Sequence, residues 1–175
     1  MAPAFAVYCA PGDFSHFVAV YLSGVLTDFE LSMTRISRSA LLPYSADQVY
    51  DLINDVSRYP QFIEDCIGAQ VLSEDECAMV ARLDLSRGGV RQSFTTNNTL
   101  RRPSEIRLEL VDGPFESFVG RWVLLALNDK ACKVSLFLNF TLSNAVLSVA
   151  AKQMFNSAAN TMVDAMVKRA KSIYG

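Results

Sequence analysis

Apolar and polar positions change rhythm along the chain, and each rhythm predicts an element. Ile36 to Pro43 reads as a strand, after which Ser45 is placed to cap a helix with Asp47 in its first turn. Val49, Leu52 and Ile53 give that helix one apolar face. Pro60 interrupts the pattern, so Arg58-Tyr59-Pro60-Gln61-Phe62-Ile63 reads as a second short helical turn with proline near its start. Beyond Cys66 the period becomes two. Met79, Ala81, Leu83 and Leu85 alternate with Val80, Arg82 and Asp84, and Gly88-Gly89 supplies a hairpin turn. Gln92, Phe94, Thr96 and Asn98 then share one face of a strand, an unusually polar one. Ile106, Leu108 and Leu110 follow until Asp112-Gly113-Pro114 breaks the run. Phe118, Gly120, Trp122 and Leu124 lead to a turn at Asn128-Asp129, and Val134, Leu136, Leu138 and Phe140 close the series. Strands joined by such short turns predict an antiparallel meander with one buried face.

The last segment has a helical period. From about Asn144 to Ile173 there is no Gly or Pro, and Leu147, Ala151, Met154, Ala158, Met162, Ala165 and Ile173 recur on one side. Gln153, Asn160, Asp164, Lys168 and Lys171 take the other side, which suits solvent. The order is therefore one strand, two short helices, about six antiparallel strands and one long helix, an α+β arrangement. Only the final helix is long enough to cover the sheet, so the sheet is expected to curl round it. Two readings of the interior stand side by side. A stripe of Met, Phe and Ala suits ordinary core packing, whereas Gln92, Thr96 and Asn98 on the inner face need buried partners and favour a cavity.

Composition sharpens this picture in two places. Hydrophobic residues make up 51% of the 175, enough for a sizeable core and too much for a disordered chain. A formal charge of −2 offers no general surplus of cations for a polyanion, and no DNA partner is expected. The charge is unevenly spread: residues 1–32 hold no Lys or Arg but carry Asp13, Asp28 and Glu30. The apolar run from Phe17 to Leu26 lacks a basic flank and is too short to span a bilayer, so it is neither export signal nor anchor. Met33 opens the well-patterned sequence. Residues 1–32 are thus expected to be an N-terminal extension outside the fold, and 33–175 the domain.

The search for catalytic chemistry is mostly negative. Cys9, Cys66, Cys77 and Cys132 show no paired spacing, and a lone histidine, His16, leaves no pair for a metal, so four reduced thiols and no metal site are expected. No glycine-rich phosphate loop or Gly-x-Ser-x-Gly elbow occurs. Glu64-Asp65 and Glu74-Asp75-Glu76 lie in turn-like sequence and read as solvated turns, and Arg101-Arg102 before Pro103 as a solvated strand end. Arg91 and Arg121 are candidates for a cationic patch on the outer sheet face, with cross-strand charge pairing as the alternative.

Five motifs carry a further signal: Leu42-Pro43-Tyr44-Ser45-Ala46, Tyr59-Pro60-Gln61-Phe62, Gly89-Val90-Arg91-Gln92-Ser93-Phe94-Thr95-Thr96, Val111-Asp112-Gly113-Pro114-Phe115 and Gly120-Arg121-Trp122. With Met162-Val163-Asp164-Ala165-Met166 and Tyr174-Gly175, they closely resemble the coenzyme Q-binding protein and ribosome association toxin family over 33–175. The resemblance implies the START-like helix-grip fold of the polyketide cyclase and lipid-transport superfamily, with a curved antiparallel sheet wrapped around the C-terminal helix. It supplies no catalytic residue, and no enzyme activity is expected. It does imply two functions of different kinds.

The leading expectation is non-catalytic binding of a hydrophobic ligand, ubiquinone or a related polyprenyl quinone or lipid, in support of respiration, with no other cofactor required. Its candidate lining is Leu83, Leu85, Phe94, Leu108, Leu110, Trp122, Leu124, Leu136, Met154, Phe155, Met162 and Met166. Gln92 and Thr96 would meet the ligand's polar head, and Phe115 and Phe118 would stand at the mouth. The alternative is a toxin that binds the large ribosomal subunit and blocks subunit association and translation initiation. For that role Arg91, Arg101, Arg102, Arg107 and the Lys168-Arg169-Lys171 end are the candidate RNA contacts. Either role is expected in the cytoplasm, with transient contact at the inner membrane for the quinone carrier.

Overall fold

The computed structural model describes residues 33–143 and 149–175. The extension expected at 1–32, and the first residues of the predicted long helix with Leu147, lie outside the described residues. Strand β1 spans Thr34–Leu42 and leads into helix α1, Ala46–Asn54. The Ser45 hydroxyl accepts the Gln48 amide while the Gln48 side chain accepts the Ser45 amide, a reciprocal cap worth about 1 kcal/mol. A 3-10 turn, Val56–Gln61, follows with Pro60 inside it. The buried Tyr59 hydroxyl donates to the Ile53 carbonyl at 2.6 Å and locks this turn onto α1.

Six strands come next: β2 Cys66–Glu74, β3 Ala78–Arg87, β4 Val90–Arg101, β5 Glu105–Asp112, β6 Phe115–Asn128 and β7 Ala131–Leu142. They form an antiparallel meander. β1 joins at the far edge beside β7, giving the sheet order β1-β7-β6-β5-β4-β3-β2. Helix α2, Val149–Tyr174, lies against the inner face with Ala151, Met154, Phe155, Ala158, Ala159, Val163, Met166 and Ala170 buried. This is the expected α+β helix-grip arrangement.

Several local expectations need correction. Strand β2 has no clean alternation because its register on β3 shifts twice, between Cys66 and Gly68 and between Val71 and Ser73, so each shift resets which residues face inward. Ile173 is 47% exposed, whereas Tyr174 beside it packs on Tyr44 and donates to the Gln48 carbonyl of α1, so Ile173 is not part of the buried stripe. Arg102 is no free strand end. Its guanidinium pairs with Asp51 and, at 3.2 Å, with Asp47, tying the end of β4 to α1. Arg169 sits 5.3 Å above the Phe62 ring and donates to Gln61, so it is half-buried.

Candidate functional site

The inner face and α2 do not close on each other completely. They leave a cavity of about 80 Å³ that runs from the α1 end of the sheet to the β4–β6 end. The strands supply Ala81, Leu83 and Leu85 from β3, Ile106 and Leu108 from β5, and Trp122, Leu136 and Leu138 from β6 and β7. Phe155, Ala158, Ala159 and Met162 enter from one side of α2, where two adjacent alanines keep the helix wall thin. Gly120 faces the same interior. A side chain there would begin 2.7 Å from Leu108 and 2.8 Å from Leu138, so glycine is what lets those two leucines meet over β6.

Phenylalanines fill one end. Phe94, Phe115, Phe118, Phe140 and Phe155 form a contiguous cluster, with Phe115 4.8 Å from Phe155, 5.1 Å from Phe118 and 5.6 Å from both Phe94 and Phe140. Tilted and edge-on ring pairs of this kind add about 0.5–1.5 kcal/mol each beyond the area they bury. Gly113 holds the preceding turn with φ +148°, and a Cβ at that position would lie 2.6 Å from the Phe94 Cβ. Phe115 is therefore part of a packed plug, not an open mouth: it is 7% exposed.

The other end is polar in a different way. Thr96 and Asn98 are 6% and 4% exposed, and the Asn98 side-chain carbonyl oxygen has no hydrogen-bond partner among the described residues. An orphaned buried acceptor of this kind costs about 1–3 kcal/mol. Tyr59 lines the cavity and Cys66 is buried opposite Leu85 on β3, both as neutral groups. Burial raises the Tyr59 phenol far above its ordinary range and pushes the Cys66 thiol up to about 11, so neither is an ionised nucleophile near neutral pH. No group of three His, Cys, Asp or Glu residues gathers among the described residues in a way that could hold a metal ion.

The sequence-derived lining divides cleanly. Leu83, Leu85, Phe94, Thr96, Leu108, Phe115, Phe118, Trp122, Leu136, Phe155 and Met162 line the cavity. Gln92, Leu110, Leu124, Met154 and Met166 do not. Leu124 pairs with Val134, one rung beyond the Trp122–Leu136 pair that bounds the space, and both residues are fully packed core. Met166 shares the cavity side of α2 but lies a turn nearer its C-terminus, and Met154 is turned onto the flank; neither has exposed surface. Gln92 and Leu110 lie half-buried at the strand ends, outside the enclosed part.

Sequence reasoning missed Ile53, Asn54, Val56 and Tyr59, which α1 and the 3-10 turn bring over the sheet. The Tyr59-Pro60 motif was the available signal. Alternation along β7 already placed Leu138 and Phe140 beside Leu136 on the inner face.

Residues 42–167 match the family described as polyketide cyclase/dehydrase and lipid transport. The chain is 46% identical to a ribosome association toxin of Pseudomonas aeruginosa, covering 81% of this chain and 99% of that protein. It is 43% identical to the Vibrio cholerae protein of the same description, over 82% and 99% of the two chains. Identity falls to 26% with a mitochondrial coenzyme Q-binding protein homolog of Xenopus laevis, over 79% of this chain and 59% of that one. Among solved structures it superposes on the Zhui aromatase/cyclase of a Streptomyces species with a TM-score of 0.67 at 18% identity, covering 80% and 94%. A START superfamily protein of Mycobacterium smegmatis gives 0.66 at 18%, covering 79% and 98%. These two establish the START-like fold.

Proposed function

The chain belongs to the polyketide cyclase/dehydrase and lipid transport family, in its ribosome association toxin branch, and on that premise we propose that it binds the large ribosomal subunit and keeps it from joining the small one. The contrast in identity carries this reading: 43–46% across nearly the whole length of toxins from two organisms, against 26% across part of a coenzyme Q-binding homolog. The proposed action is stoichiometric binding in the cytoplasm, without catalysis. Purified large subunits in a sucrose gradient should carry the protein at low salt, and subunit joining followed by light scattering should fall as protein is added. Absence from the large-subunit peak at low salt would overturn the proposal.

A second reading is favoured by one observation, the unpartnered acceptor of Asn98 in a mostly apolar cavity. A ligand with an apolar body and a hydroxyl would satisfy it, and a reduced polyprenyl quinone has both. The size of the space restricts how such a ligand could enter. An engineered apolar cavity of about 150 Å³ takes up benzene. This one is about 80 Å³, so a quinone ring with any tail must first displace the phenylalanine plug. Mass spectrometry of molecules that co-purify with the protein, together with quinone titration, tests it; an empty protein that takes up no quinone would end the reading.

A further inference from the structure

The sheet has a second face, and its charge is unlike that of the whole chain. Outward positions of β1, β7 and β6 include Arg35, Lys133 and Arg121, and from Ser117 to Leu127 on β6 and along all of β1 and β7 no outward position is a carboxylate. The acids of this face are Glu105 and Glu109, two positions to either side of Arg107 on β5, and Glu116 lies at the start of β6. Arg107 on β5 stands directly opposite Arg121 in the register. Two like charges at facing positions destabilise a strand pair unless an anion lies between or above them. Glu105 reaches Arg121 only at 4.0 Å and is shared with Arg101 at 3.6 Å. Arg35, Arg107 and Lys133 make no ion pair among the described residues.

The same patch carries an aromatic ring. The Arg121 guanidinium lies 5.4 Å above Phe137, its cross-strand neighbour on β7, and Phe137 is 37% exposed. Exposed cations around a guanidinium and an exposed ring match a phosphate backbone with an unstacked base laid on the aromatic or guanidinium surface. We propose that the outward face of β1, β7, β6 and β5, centred on Arg107, Arg121 and Phe137, is the surface that docks on ribosomal RNA. This deepens, and rests on, the ribosome-binding reading. Of the expected contacts it keeps Arg107, and of the expected outer-face patch Arg121, but it leaves out Arg102, held by Asp47 and Asp51, Arg101, held by Glu105, and Arg169, held by Phe62 and Gln61.

The test measures binding of the full chain to purified large subunits over a salt series. The Arg107→Gln/Arg121→Gln pair should lose tenfold or more in affinity, and its log–log salt slope should shrink by about two, one for each phosphate contact removed. Arg35→Gln/Lys133→Gln, at exposed and unpaired positions, should show the same trend with the thermal midpoint unchanged, which guards against misfolding of the first pair. Lys152→Glu and Lys168→Glu on α2 should bind as the parent does. Parent protein that fails to bind at low salt removes the ribosome reading and this one with it. Parent protein that binds, with both outer-face pairs binding equally well and the α2 variants weakened, overturns the docking face alone. Binding to phosphatidylglycerol vesicles as tight as to subunits, and lost in the same outer-face variants, would reassign the face to membranes and overturn the RNA assignment.

Discussion

The two faces of this sheet are built from alternate residues of the same strands, yet they answer to different physics. On β6, Gly120, Trp122 and Leu124 point inward and are buried, while Val119, Arg121 and Leu125 point outward and are exposed. The inner face is governed by volume: a missing or added methyl group is felt by Leu108, Leu138 or the phenylalanine plug. The outer face mixes cations with exposed Leu41, Val119, Leu125 and Leu127 and, being open to solvent, has no comparable volume constraint. A single strand can therefore serve a packed interior and a polyanion without either role constraining the other, because the period of two keeps them apart.

The largest effect expected from breaking this contrast is inside. Trp122→Ala should lower stability by about 3–5 kcal/mol in urea unfolding, since Trp122 is 2% exposed between sheet and helix. Gly120→Val should cost about 1–3 kcal/mol by overpacking against Leu108 and Leu138. Asn98→Leu should move stability by a similar amount in the opposite direction, a gain of about 1–3 kcal/mol in the unliganded protein, because it removes an unpartnered acceptor. The same variant should lose any hydroxyl-bearing ligand; a loss of stability instead would show that Asn98 is satisfied in the free protein.

Alkaline pH should weaken the inner face as well. The folded protein favours the protonated Cys66 thiol, whose pKa rises from 9.0 to about 11, and the protonated Tyr59 phenol, raised in the same direction. Their contribution is fully present below about pH 9 and is lost as pH climbs through the folded value. The urea midpoint should thus fall from pH 9 to 11, and Cys66→Ala should flatten part of that slope. The smallest stability change is expected outside: Arg35→Gln with Lys133→Gln should stay within about 0.5 kcal/mol of the parent while subunit binding weakens.

Much of the inner face was legible from residue type and spacing. The Ser45 cap, the Gly88-Gly89 hairpin and the alternation along β3 to β7 are local signals, and each survives in the folded chain. What was not legible was depth. Alternation tells which way Leu83 and Leu124 face, but only the register shows that the second lies a rung past the end of the cavity. Nor could local pattern show that α1 and the 3-10 turn fold back to add Ile53 and Tyr59. Strand β2 was blurred for the same reason that its edge is irregular, two register shifts within nine residues. On the outer face, the Arg107–Arg121 opposition depends on pairing between strands, which a single strand's sequence does not contain.

The pairing of β1 with β7 bears on when this protein becomes competent as it folds. Thr34 faces Phe140, so the first strand of the sheet waits for the last before its edge is closed. Contacts of such long sequence separation form late, since the intervening loop must be closed first. Arg35 takes its place beside Asn139 and Val119 only in that step. Until β7 has formed, the outer surface lacks the row that carries Phe137 and Lys133, and β1 has no strand to pair with. The proposed RNA-facing side is accordingly among the last surfaces of the sheet to be completed as the chain folds.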